Sequence, residues 1–159
     1  MGVKAFTDAL RTLLTTEQPF VAELEALIGT TVVNVLKANT PWAQIAANQL
    51  PCFVLEQGDG QASPHANSDA SGLTIGLGSQ AFASDMDVCV LWNETSREAA
   101  ADQRAQLPDL FAQLLMRNPQ PGDIDGAWLQ QWVPDQGVLH PRQCWMARIH
   151  AEYMIQKNP

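Results

Sequence analysis

Apolar positions recur along this chain in two periods, and the switches between them mark out the elements. Over residues 3–15, Phe6, Leu10, Leu13 and Leu14 follow helical spacing and predict an amphipathic helix. Pro19 then suits the first turn of a second helix, where its missing N–H costs nothing. Phe20, Leu24, Leu27 and Ile28 form the buried stripe of that helix, and Gly29 is its stop.

Residues 30–36, TTVVNVL, are β-branched and predict a strand, broken by Asn39-Thr40-Pro41. Residues 42–50 read as a loop or one helical turn. Residues 51–56, PCFVLE, predict a second strand with proline at its tolerated first position. The clearest strand spans 82–92. Met86, Val88, Val90 and Trp92 fall on one face, and Asp85, Asp87, Cys89 and Leu91 on the other. Thr95-Ser96-Arg97-Glu98 fits a capping box for a helix running to Met116 or Arg117. Its apolar side holds Ala100, Leu107, Leu110, Phe111, Leu114 and Leu115. Pro108 inside it predicts a kink or two consecutive helices. Residues 128–133 predict a further strand, and 145–155 a final one that alternates Trp145, Ala147, Ile149, Ala151 and Tyr153 with Met146, Arg148, His150 and Glu152.

The order predicts an α+β fold: one twisted mixed or antiparallel sheet of four to five strands, with helices packed mainly on one face. Between the second and third strands lies a stretch without periodicity, about 57–81, rich in Gly, Ser, Ala, Asn and Asp. It predicts a long flexible loop, and loops of that length inside compact chains are usually functional or disordered.

Charge sharpens the picture. The chain of 159 residues carries a net charge of −8. That argues against neutralisation of a nucleic-acid backbone, which needs clustered Lys and Arg. Residues 38–96 contain no Lys or Arg at all, yet hold Glu56, Asp59, Asp69, Asp85, Asp87 and Glu94. No apolar run approaches the roughly 20 residues that span a bilayer. The three cysteines, Cys52, Cys89 and Cys144, form no C-x-x-C pair and sit in apolar strand-like runs, as small hydrophobes in a reducing compartment do.

Candidate chemistry is sparse. Gly76-Leu77-Gly78-Ser79-Gln80-Ala81 fits G-x-G-x-x-A, but a strand pattern follows where a dinucleotide site needs a helix. His65, His140 and His150 are scattered, without zinc-ligand spacing. There is no G-x-S-x-G elbow. No catalytic residue, metal ligand or cofactor site is expected. Asp85 and Asp87 read as an exposed or interfacial acidic row. Trp42, Trp128, Trp132 and Trp145 are candidates for an aromatic binding surface, with Trp42 and Trp128 the exposed ones because loop residues flank them.

The layout resembles a known family. An amphipathic helical start precedes Gln49-Leu50-Pro51, which leads into the strand over 52–56. A long polar loop, the strand over 87–92, a helix over 101–116 and a closing strand over 146–155 follow. This is similar to the tail terminator or tail completion proteins of long-tailed bacteriophages, the family of minor tail protein U.

The resemblance implies one tail-terminator-like domain over 1–159 and no enzymatic activity. It implies a structural virion protein, assembled in the host bacterial cytoplasm, that caps the head-proximal end of the tail tube. The cap is a homo-oligomeric ring of six subunits that stops tube polymerisation and forms the head–tail joining surface. The implied partners are further copies of the chain, the tail tube protein and a head–tail connector or neck protein. DNA passes through without sequence-specific binding, and no membrane is involved. The interface and lumen candidates are Asp59, His65, Asp69, Asp85, Asp87, Trp42 and Trp128, with the two strand aspartates facing the lumen. Two alternatives stay open: another virion neck or tail tube protein, or a small-molecule-binding or enzymatic α+β domain using the loop as a lid, with Asp59, His65, Asp69 and Cys89 as its residues.

Overall fold

The computed structural model describes residues 3–32, 34–37, 41, 44–62, 79–122, 124–134 and 140–156. Two helices open the chain, α1 (Val3–Thr16) and α2 (Gln18–Ile28). Strand β1 (Asn34–Lys37) is followed by a short 3-10 turn at Ala47–Gln49 and the long strands β2 (Cys52–Ala62) and β3 (Ser79–Asn93). Helix α3 (Arg97–Arg117) leads to β4 (Gly126–Pro134) and β5 (Arg142–Gln156). The strands form one sheet of five in the order β1-β2-β3-β5-β4. Only β1 and β2 are parallel, so the sheet is mixed and the architecture is α+β, as the pattern predicts.

The core lies between the helices and one sheet face. Phe6, Leu10 and Leu14 of α1, Phe20, Leu24 and Ile28 of α2, and the predicted apolar side of α3 are all buried. They meet Phe53, Leu55, Met86, Val88, Val90, Trp92, Trp145, Ala147, Ile149 and Ala151. Phe111 packs edge-on against Phe20, with ring centroids 5.2 Å apart, and tilted against Trp145 at 4.8 Å. Such aromatic pairs add about 1 kcal/mol each beyond the area they bury.

Helix termini are closed by local hydrogen bonds. Glu17 caps α2 by accepting from the Phe20 N–H at 2.7 Å, and Gly29 ends it in the left-handed conformation at φ 79°. Ser96, not Thr95, caps α3, accepting from the Ala99 N–H. The cap falls one residue later than expected because the Glu94 carboxylate accepts from the Ser96 N–H and places that residue at the boundary. Pro108 does not divide α3 into two helices. Leu107, Leu110 and Phe111 enter the same core on either side of it, and that packing outweighs one lost hydrogen bond.

Two further expectations are corrected. The strand expected over 30–36 begins only at Asn34, because pairing with β2 starts there, and Val32 is instead a buried connecting residue. The loop expected over 57–81 is strand at both ends, since β2 continues to Ala62 and β3 begins at Ser79. Polar composition does not stop a ladder when β3 supplies partners on both its sides. Residues 63–78, including Gly76 and Gly78, lie outside the described residues.

Two tertiary contacts give direct tests. Gly122 has φ 73°, and a Cβ there would lie 2.7 Å from the Ala5 carbonyl oxygen in α1. Gly122→Ala combines left-handed strain of 1–2 kcal/mol with a backbone clash, and is expected to cost about 2–3 kcal/mol by urea unfolding. An unchanged midpoint would show that this turn does not seat α1.

Glu17 also pairs with Arg117 at the end of α3, at 2.8 and 3.2 Å. The Arg117 hydrogen bonds hold the Glu17 carboxyl below its ordinary value of 4.5. Its stabilisation is therefore fully present above that value and lost as pH falls through the lowered folded-state value. Glu17→Gln should cost about 1 kcal/mol at pH 7. Urea titrations from pH 7 to 3 should show the gap between wild type and variant closing at the acid end. A gap independent of pH would rule out the charge as its source.

Candidate functional site

The sheet face turned away from the helices is divided in two. Towards the start of β2, Cys52, Val54, Cys89, Leu91 and Cys144 form a second apolar cluster, covered by Ile45 from the segment before β2. Farther along the same strands the side chains become Glu56, Asp85, Asp87, Arg148, His150 and Glu152. The division follows from sequence alternation: the same register that buries Val88 and Ile149 on one face presents Asp87 and His150 on the other.

The predicted acidic row is therefore real but largely paired. Asp87 lies directly opposite Arg148, which donates from Nε and Nη2 to its two carboxylate oxygens, each at 2.8 Å. Asp87, with further help from Asp85 and Asp59, raises the Arg148 guanidinium above its ordinary value. Asp85 lies opposite His150, whose Nδ1 donates to Oδ1 at 2.7 Å. Glu152 approaches the other ring nitrogen at 3.9 Å. The Trp128 ring covers His150 at a centroid distance of 4.8 Å.

Asp59 reaches this face through a break in register. Gln57 pairs with Met86 and Gly60 with Ser84, so Gly58 and Asp59 together oppose Asp85. Gly58 fits because a Cβ there would come within 3.1 Å of the Asp85 Cβ. The bulge re-aims the strand, as such insertions commonly do.

Of the residues singled out from the sequence, Asp59, Asp85, Asp87 and Trp128 converge on this face. His65, Asp69 and Trp42 lie outside the described residues. The aromatic surface is not a single one. Trp145 is wholly buried, Trp128 is 44% exposed on the acidic face, and Trp132 is 50% exposed. Trp132 lies opposite Ala147, on the helical side of the sheet, because Gln130 is an extra residue in β4 and the strand flanks it with tryptophans on opposite faces. Sequence reasoning gave Trp132 no preference for exposure and did not pair Arg148 and His150 with the aspartates. The alternation of β5 placed them on the open face, but register against β3 is a long-range property.

All three cysteines are buried and free. Burial pushes the Cys52 thiol up to about 11. A hydrogen bond with Cys144, then burial, raises the Cys89 thiol above its ordinary value. A thiol held protonated and out of solvent is not a nucleophile, which removes Cys89 from the enzymatic alternative. Among the described residues no group of three or more His, Cys, Asp or Glu is placed to hold a metal ion. Nor is any described helix long and apolar enough to cross a membrane.

Arg148→Met tests the face. It leaves the Asp87 carboxylate half-buried and without its cation, and is expected to cost about 2–3 kcal/mol, while Arg148→Met with Asp87→Leu should recover most of the loss. A neutral single variant would show that the pair contributes nothing.

The geometry defines an α+β protein whose sheet face turned away from the helices carries the cross-strand pairs Asp87–Arg148 and Asp85–His150. No protein-family profile matches the chain, and no curated protein matches it. Among solved structures it is similar to a chain of the virion of a native gene transfer agent particle, with 15% identity over 92% of this chain and 96% of that one, at a TM-score of 0.49.

Proposed function

We propose that this chain is a structural virion protein that caps the head-proximal end of a phage tail tube as a closed ring, stops tube polymerisation and offers the head–tail joining surface. One observation carries the reading beyond the sequence resemblance. The sheet is open, and its two edge strands, β1 and β4, lie at opposite ends of one layer. A closed ring of identical subunits needs two different patches on each copy, and two unlike edges meet that requirement.

The acidic face supports the same role. Glu56, Asp59, Asp85, Asp87 and Glu152 outnumber Arg148 there, even with the histidine counted as a cation. A lumen wall of net negative charge repels phosphate and lets DNA pass without adhering. On this reading Asp85 and Asp87 line the channel, with the paired Arg148 and His150 limiting repulsion between neighbouring subunits. The tail tube protein and a neck protein are the partners above and below the ring, and the chain has no enzymatic activity.

Light scattering over a concentration series, with negative-stain images of the same fractions, tests the proposal. Closed rings of uniform diameter that bind purified tail tubes are expected. Open filaments would instead identify a tube subunit. A monomer at every concentration that also fails to bind tubes would overturn the reading.

A further inference from the structure

Strand β4 is an edge of the sheet, and most of its residues are exposed. Its sequence, GAWLQQWVP, contains no charged residue; among the described residues β5 is its one neighbour in the sheet, and near its start the Ala127 N–H donates to the Pro119 carbonyl at 3.0 Å, leaving the outer side of residues 130–134 exposed. Edge strands are normally blunted by Lys or other charges, by proline or by bulges. Here the Gln130 bulge and the terminal Pro134 are present, but charge is not. Trp128 is 44% exposed on one side of the strand, Trp132 50% on the other, and Val133 50%. Trp132 and Pro134 also form one wall of a groove of about 430 Å³ against α3, lined across from them by Ala101, Arg104, Ala105, Pro108 and Asp109. The apolar surface therefore wraps around the edge from one sheet face to the other.

Charge selects the occupant. Copies of a chain with net charge −8 repel wherever carboxylates face each other. They approach at lowest cost through a surface poor in carboxylates: β4 itself bears none, and the groove beside it holds one, Asp109, together with the cation of Arg104. A basic partner would gain nothing from β4 that the acidic sheet face does not offer better. Strand direction agrees. β1 runs parallel to β2, and each later neighbour in the order β2-β3-β5-β4 is antiparallel to the one before, so β4 runs opposite to β1. A second copy in the same orientation would bring its β1 beside β4 antiparallel, the commoner pairing.

We infer that the β4 edge, with the α3–β4 groove and the side chains of Trp128 and Trp132, is the docking surface for a second copy of this chain. The inference rests on the ring reading for its biological setting and deepens it by naming the contact.

The test uses the full chain. Hydrogen exchange by mass spectrometry is recorded at low and high concentration, beside light scattering of wild type, Trp132→Glu and Gln131→Lys. Circular dichroism confirms that each variant is folded. Gln131→Lys adds a charge on an exposed side chain and serves if Trp132→Glu fails to fold. Protection of the 126–134 peptide that rises with association, and at least a tenfold weakening of association in a folded variant, is the expected result. Rings that form with β4 unprotected and in both variants would overturn the inference while the ring reading survives. Open oligomers that need an intact β4 would support the inference and sink the closed ring. A wild type that stays monomeric at every concentration overturns it.

Discussion

The pairing of β3 with β5 is the constraint on which the rest depends. It runs unbroken from Ser79 opposite Gln156 to Asn93 opposite Arg142. Side chains on a strand alternate with a period of two, so this register decides the fate of every side chain on the two strands. A slip of one residue would drive Asp85 and Asp87 under the helices and expose Val88, Val90 and Trp92. Burying unpaired carboxylates costs several kcal/mol per ion, so the slipped state is not a competitor. The ion pairs add to the selection, because Asp85–His150 and Asp87–Arg148 sit at directly opposed positions and exist only in this register.

The face turned away from the helices is thereby divided into an apolar half and a charged half. Its apolar half closes over the cysteines, and its charged half is held in place by pairs across the ladder. A sequence window suggests an uncompensated acidic arm, because residues 38–96 carry no cation. In three dimensions the partners come from β5: the Arg148 cation for Asp87 and the His150 ring for Asp85, 61 and 65 residues away along the chain. What remains is a face of moderate negative charge with fixed geometry.

Much of the fold was legible because burial imposes a period. The stripes of α1, α2 and α3, the stop at Gly29 and the two faces of β3 follow from local spacing alone. Three things were not, and each is long-range. Strand order makes β4 an edge, and nothing within GAWLQQWVP says so. The bulge at Gly58 and Asp59 arises from a mismatch between two strands, so Gly and Asp read simply as loop residues. The bulge at Gln130 separates the two tryptophans of β4, where a regular strand would have put Trp128 and Trp132 on one face. For the candidate site, the aspartates were visible as a row, but their partners were hidden in the register.

The distribution of charge links the two surfaces. Exposed charges act over roughly 8 Å at physiological ionic strength. An acidic chain can still associate with itself when its carboxylates are kept off the contact and the charges nearest it are paired. The fold arranges this by topology. The ladder gathers the carboxylates on the face of β2, β3 and β5, pairs Asp87 with the Arg148 cation and hydrogen-bonds Asp85 to His150 across strands, while the order β3-β5-β4 leaves the uncharged strand outermost. In the association we propose, repulsion is directed normal to the sheet and attraction along its edge. In the proposed ring these directions separate the two demands on one small subunit: a wall that DNA does not adhere to, and a seam that like-charged copies can close.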